Sequence, residues 1–180
     1  MQLHKIRYVE NVGFFDVVSK RHSIRSYRSK AVEEFKIRRI LETANSAPSA
    51  GNLQAYEIFL VTDKEKKRML VDAAYGQEFI SQAPVVLVFA ANPSRSSVKY
   101  GERGKLYSIQ DATIAAAYAQ LCAVALGLGC VWVGAFDEKS LSNVLTLNQL
   151  KPVAIMPIGY AAESPEPTER RKLDELVHEV

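Results

Sequence analysis

The sequence predicts an α+β layer fold, and three observations carry that expectation. Short β-branched and aromatic runs mix with helical stretches in an order that lacks the strict βαβ repeat of a doubly wound sheet. The glycines of "GLGCVWVG" follow a helix and open a strand, the reverse of a dinucleotide fingerprint. Finally, 180 residues at 48% hydrophobic suffice for one core, and no repeat, linker or low-complexity tract divides them. Residues 1–180 therefore read as a single domain.

The elements follow in order. Ile37, Ile40, Leu41 and Ala44 recur at i, i+3, i+4 and i+7, predicting a helix from about Glu33 to Ser46 that ends at the turn-rich "SAPSAGN". "EIFLVT" supplies a strand from Glu57 to Val61. Thr62, with Glu65 three residues on, has capping-box form and opens a helix through about Ala74. After Pro84, "VVLVFAA" reads as a central strand. From Asn92 to Lys105 the chain turns polar and glycine-bearing, and a long Ala-rich helix then runs from about Leu106 to Leu126. Its ending, "GLGC", puts glycine where a helix C-cap takes positive φ. "CVWVG" is a third strand, "DEKSLSNVLTL" a helix capped by Asp137, and "VAIMPIGY" a fourth strand.

Composition narrows the function. With 23 basic against 20 acidic residues the chain is nearly balanced, so an anion site must be local rather than a coat for a polyanion. Cys122 and Cys130 match neither a CxxC pair nor a zinc knuckle and read as buried free thiols, which suits a reducing, cytoplasmic compartment. "MQLHKIRYVE" lacks the apolar run of a signal peptide. The apolar stretch Ile114–Leu128 is too short and too Ala-rich to span a bilayer. There is no P-loop, HExxH or GxSxG. Only His4, His22 and His178 are present, which leaves metal and serine-nucleophile chemistry without support.

One stretch stands apart. "KRHSIRSYRSK", residues 20 to 30, holds five Lys or Arg, a His and three Ser. Arg gives a bidentate fork and Ser a neutral donor, a combination that suits phosphate, against the alternative of a solvated basic face. A second basic cluster, Arg170, Arg171 and Lys172, follows the last strand in "PTERRKLDELV". Two clusters converging on one phosphate is an expectation for the fold to meet.

"KRHSIRSY", "ETANSAPSAGNLQAYEIFLV", "GLGCVWVGAF" and "PIGYAAESPEPTERRKLDELVH" together resemble the ordered motifs of the FMN-dependent nitroreductase family, over nearly the whole chain. The resemblance implies a mixed, mainly antiparallel central sheet flanked by helices in a three-layer fold, in an interlocked homodimer with FMN at the interface. By that likeness Arg21 and Ser23 would bind the FMN phosphate with His22 beside them, and Arg25 would reach the N1 and O2 edge of the ring. A fixed guanidinium there favours the reduced flavin, which carries negative charge at that edge. In "APSAGNLQ", Pro48, Ser49, Ala50 and Asn52 would touch the cofactor from the partner subunit, with Gln54 nearby. The family often continues Gln-Pro-aromatic, where this chain has Gln54, Ala55 and Tyr56. Gly134 and Ala135 would offer a backbone N–H to flavin N5, and the acidic residue that some relatives carry at Gly134 is absent. Trp132 is either a core strand residue or a neighbour of the ring. Arg170 and Arg171, or Lys172 if the register slips, would hold the other side of the phosphate. His178 reads as a surface residue. Tyr100, Arg103 and Tyr107 belong to a lid or to an ordinary surface loop.

The implied activity is an FMN-dependent NAD(P)H oxidoreductase, with NADH or NADPH as donor, passing electrons to nitroaromatics, quinones or similar small acceptors by a ping-pong cycle. No dedicated general acid is identifiable, and the short chain predicts an open, tolerant pocket. Two alternatives stand beside it: a specialised flavin enzyme of the same fold, of reductive dehalogenase or flavin-fragmenting type, and a non-catalytic anion or nucleic-acid binder that uses the basic cluster with Tyr27.

Overall fold

The structure is a computed structural model and describes residues 13–180; His4 and the "MQLHKIRYVE" segment lie outside the described residues. Strands β1 (Tyr56–Val61), β2 (Val85–Ala91), β3 (Gly129–Cys130) and β4 (Lys151–Gly159) form one antiparallel sheet in the order β1-β2-β4-β3. Helices are α1 (Phe14–Lys20), α2 (Glu34–Asn45), α3 (Lys64–Ala73), α4 (Phe79–Gln82), α5 (Pro93–Tyr100), α6 (Arg103–Ala125) and α7 (Glu138–Leu145).

All seven residues of β2 are buried, which is why its sequence is a continuous apolar run rather than an alternation. Its side chains still point to opposite faces by turns. Val85, Leu87, Phe89 and Ala91 join a core with α2 and α6, while Val86 and Val88 join a second core with α3, α4 and α7. The result is three layers, helices on both sides of one sheet. The α6 face toward the sheet is built of Ala112, Ala115, Ala116, Ala119 and Ala123, all fully buried, and such small side chains let a long helix lie close to the strands. Lys36 of α2 donates to the carbonyl of Leu126 (2.8 Å) and so closes the C-terminal end of α6.

Several expectations shift. The helix after β1 is capped by Asp63 rather than Thr62: its Oδ1 accepts the Lys66 N–H at 2.9 Å, and Thr62 stays on the strand side. The stretch Asn92–Lys105 is not a loop. Asn92 caps α5, with Pro93 at the first helical position, and α6 begins at Arg103, after only a Gly101–Glu102 corner. The strand expected over "CVWVG" is regular only at Gly129–Cys130, with Val133 making a single bridge to Ile155. The edge beyond β3 is taken instead by residues 22–24, where Ser23 pairs with Cys130 in parallel and Ile24 N–H donates to the Cys130 carbonyl (3.0 Å). Cys130 is fully buried, its thiol pushed up to about 12 by desolvation, whereas Cys122 is only half-buried beside Thr43; neither forms a disulfide. Among the described residues, no helix is long and apolar enough to cross a membrane.

Two tests follow from this packing. A Cβ at Gly129 would sit 2.7 Å from Ile24 Cγ1, so Gly129→Ala must push the 22–24 segment off the sheet edge. It should cost about 1–3 kcal/mol of stability by denaturant titration, and a stability equal to wild type would contradict the contact. Asp137, as expected, caps α7 by accepting the Ser140 N–H at 2.7 Å, and that bond holds its carboxyl below the usual value. Because the folded pKa is the lower one, this stabilisation is present above the unfolded pKa and is lost as pH falls through the folded one. Asp137→Ala should therefore lower Tm at neutral pH, and the gap to wild type should close as the pH drops below about 4.

Candidate functional site

The basic stretch takes its shape from the sheet edge. α1 ends where the Arg21 N–H closes on the Val17 carbonyl, and the chain then extends along β3. Ile24 is buried against Gly129, and Tyr27 is buried with its hydroxyl donating to the Ile24 carbonyl at 2.6 Å. Burial drives the Tyr27 phenol far above its ordinary pKa, so it stays a neutral donor. Residues flanking these anchors face outward: Arg21, His22 and Ser23 are half-buried and Arg25 is exposed.

The five cations of this stretch divide by task. Arg28 is committed to the fold, its Nε donating to the Ala161 carbonyl at 3.0 Å. Lys30 sits 3.9 Å from the centre of the Tyr160 ring and 3.7 Å from Glu33, whose carboxyl is held below its usual range by the Tyr160 hydroxyl. Among the described residues, the guanidinium groups of Arg21 and Arg25 make no hydrogen bond or ion pair. Glu163 approaches the stretch, but it accepts from the backbone N–H groups of Arg25 and Ser26 rather than from a guanidinium. What remains to meet an anion is Lys20, Arg21 and Arg25, with His22 and Ser23 between them.

A second segment, residues 48–55, joins α2 to β1. It is a tight turn in which Gly51, Asn52 and Gln54 all have positive φ (57°, 57° and 44°). The turn closes on itself through Ser49, whose carbonyl accepts the Asn52 N–H and whose Oγ accepts the Gln54 N–H, each at 3.0 Å. Gly51 packs beneath Tyr100 and Lys99 so closely that a Cβ would collide with the Tyr100 hydroxyl. Pro48 and Asn52 are exposed, Ser49, Ala50 and Gln54 half-buried. Pro48, Ser49 and Ala50 line a cavity of about 600 Å³ with Tyr107, Asp111 and Ile114 of α6. Tyr100, Arg103 and Tyr107 form the α5–α6 corner above it rather than a loop. The Tyr100 and Tyr107 rings meet edge-on at 5.0 Å, and Arg103 Nε donates to the Tyr107 hydroxyl at 2.8 Å.

The third segment leaves β3. Trp132 is half-buried against the main core, and Gly134 and Ala135 are exposed beyond it. Gln77 fixes this segment by donating to the Ala135 carbonyl (3.0 Å). A Cβ on Gly134 would meet nothing nearer than Trp132 Nε1 at 3.4 Å, so packing within the chain leaves room for a larger residue there. In the tail, Arg170 bonds Thr168 and Arg171 bonds Glu175; Lys172 and His178 are exposed. The single chain thus joins residues 21–25 to β3 and to Glu163, without bringing Arg170 or Arg171 onto the first basic cluster. Asp111, Glu163 and Gln77 hold these segments and were not singled out by sequence; the one available signal was Asp111, the sole acidic residue between Glu102 and Asp137.

Known proteins share this fold. The model of the nitroreductase family matches residues 18–77 and 71–160. An NADH dehydrogenase of Thermus thermophilus is 34% identical over 187 aligned positions, covering 88% of this chain and 91% of that protein. The FMN reductase (NAD(P)H) of Bacillus subtilis is 34% identical over 156 positions, covering 78% of this chain and 63% of that protein. The crystal structure of a nitroreductase family protein from Clostridium novyi superposes with a TM-score of 0.77 at 28% identity, over 87% of this chain and 89% of that one. With the family model matched over most of its length and relatives at 34% identity, the chain belongs to the nitroreductase family.

Proposed function

We propose that this protein is an FMN-dependent NAD(P)H oxidoreductase that acts as a homodimer on small acceptors such as nitroaromatics or quinones. The observation that carries this reading is the pair of uncommitted guanidiniums, Arg21 and Arg25, held with Ser23 on a segment pinned to the sheet edge. The donor set fits FMN: forked cations and a hydroxyl for a phosphate, a further cation for the charged ring edge, and exposed backbone at Gly134 and Ala135. The names of the Bacillus and Thermus relatives support the same donor and cofactor.

When bound, FMN would supply the redox chemistry, accepting hydride from NADH or NADPH and passing electrons to the acceptor in a second half-reaction. The chain's own residues bind and orient. Arg21 and Ser23, with His22 beside them, hold the phosphate, and Arg170 and Arg171, or Lys172, close its other side. Arg25 places positive charge at the N1 and O2 edge and so favours the reduced cofactor. Gly134 and Ala135 present backbone N–H groups to the ring without a bulky side chain in the way. Pro48, Ser49, Ala50 and Asn52, with Gln54 behind them, cover the ring from the partner subunit. No residue is assigned as a general acid.

Two features support the dimer. Phe14 and Phe15 on α1 are 66% and 85% exposed, and Leu173 in the tail is 76% exposed, which is apolar surface that a lone chain leaves in water. Arg170, Arg171 and the 48–54 turn also carry proposed cofactor contacts while bonding nothing in the basic segment of their own chain. The unpaired thiols of Cys122 and Cys130 suit a reducing cytoplasm.

The division of labour is testable. Arg21→Ala should weaken FMN retention by roughly one to two orders of magnitude, the worth of a charge-assisted phosphate contact. Arg25→Ala should mainly lower the flavin reduction potential. Fluorescence titration and anaerobic potentiometry read the two, and equal retention with equal potential in both variants would contradict the assignment.

A further inference from the structure

Asp111 lies in the first half of α6, 1% exposed, and is the sole acidic residue of that helix. A carboxylate there is costly unless its oxygens are satisfied, and no cation pairs with it among the described residues. Both oxygens are satisfied by one loop: Oδ1 accepts the Ala50 N–H at 2.8 Å and Oδ2 accepts the Ala55 N–H at 3.2 Å. The two amides bracket the stretch with positive φ at Gly51, Asn52 and Gln54. Left-handed conformations at non-glycine residues persist only where the surroundings over-determine them. Arg95 of α5 adds a bond to the Leu53 carbonyl within the same turn. Neutral side chains do the job less well, because an amide in place of the carboxylate turns an NH₂ toward one of the two N–H donors.

We propose that Asp111 is a positioning residue for the flavin site, its two oxygens clamping Ala50 and Ala55 so that the strained turn presents Pro48–Asn52 in the shape that binds the cofactor. The proposal rests on the flavin reading above. It deepens that reading by naming the group, remote in sequence, that pre-organises the turn. Without the clamp the turn samples other conformations, and the apparent affinity for FMN falls in proportion to the fraction still competent. The mechanism is loss of order, not loss of contact.

The test uses the full chain as wild type, Asp111→Asn, Asp111→Ala and Val71→Ala; the last is a core change on the other face of the sheet that controls for lost stability. FMN affinity is measured by fluorescence titration well below each Tm, and amide exchange at Ala50 and Ala55 is measured without FMN. Asp111→Ala should bind FMN roughly tenfold more weakly or worse, with Asp111→Asn between it and wild type, while Val71→Ala keeps wild-type affinity. The Ala50 and Ala55 amides should be protected in wild type and released in both Asp111 variants. If Asp111→Ala does not fold, Asp111→Asn carries the comparison. Wild-type affinity in the Asp111 variants, or wild-type amides that exchange like an open loop, overturns the proposal. Wild-type protein that takes up no FMN overturns the flavin reading itself, and the clamp is then decided by amide exchange alone.

Discussion

Burial of β2 on both faces is the constraint from which the rest of the arrangement follows. Every side chain of that strand is inside, so helices must cover both sides of the sheet and neither face is left for polar chemistry. What remains is the perimeter: strand ends and the outer edge beyond β3. The basic segment occupies that edge, and the 48–55 turn sits at the mouth of β1. Loops positioned by a rigid scaffold are the usual place for binding groups, and here the scaffold leaves no other place.

The edge position also explains how a dense cationic run avoids being either mere surface or an unstable concentration of like charge. Part of it folds the chain. Ile24 and Tyr27 are core residues, Arg28 is bonded to the Ala161 carbonyl, and Lys30 rests on the Tyr160 ring. Glu163 then places one negative charge against the backbone of Arg25 and Ser26, at the root of the tail. The remaining guanidiniums are held by the backbone while their charge stays unspent, which is the pre-organisation an anion site requires.

Legibility from sequence tracked the range of the interactions. α2, β2 and α7 emerged at nearly their observed bounds because apolar periodicity and an N-cap are local signals. α5 was hidden because its residues are almost all polar, and its start depends on Asn92 and Pro93 acting as a cap rather than as a turn. The third strand is shorter than its β-branched run suggests, and its outer neighbour, residues 22–24, pairs with it across more than a hundred residues, which no local pattern encodes. The same holds for the site. The phosphate-suited cluster was visible as composition, and the 48–54 turn and Gly134–Ala135 through family likeness. Asp111 and Glu163 act on amides 56 to 138 residues away, so only a lone acid in an alanine-rich helix hinted at the first, and nothing hinted at the second.

The most direct measurement is a visible absorbance spectrum of the purified protein after incubation with FMN and gel filtration, followed by anaerobic addition of NADH and, separately, NADPH. Flavin bands that travel with the protein and bleach with at least one nicotinamide are the predicted result. A protein that emerges without flavin would contradict the account and return Arg21 and Arg25 to the role of solvated surface charge.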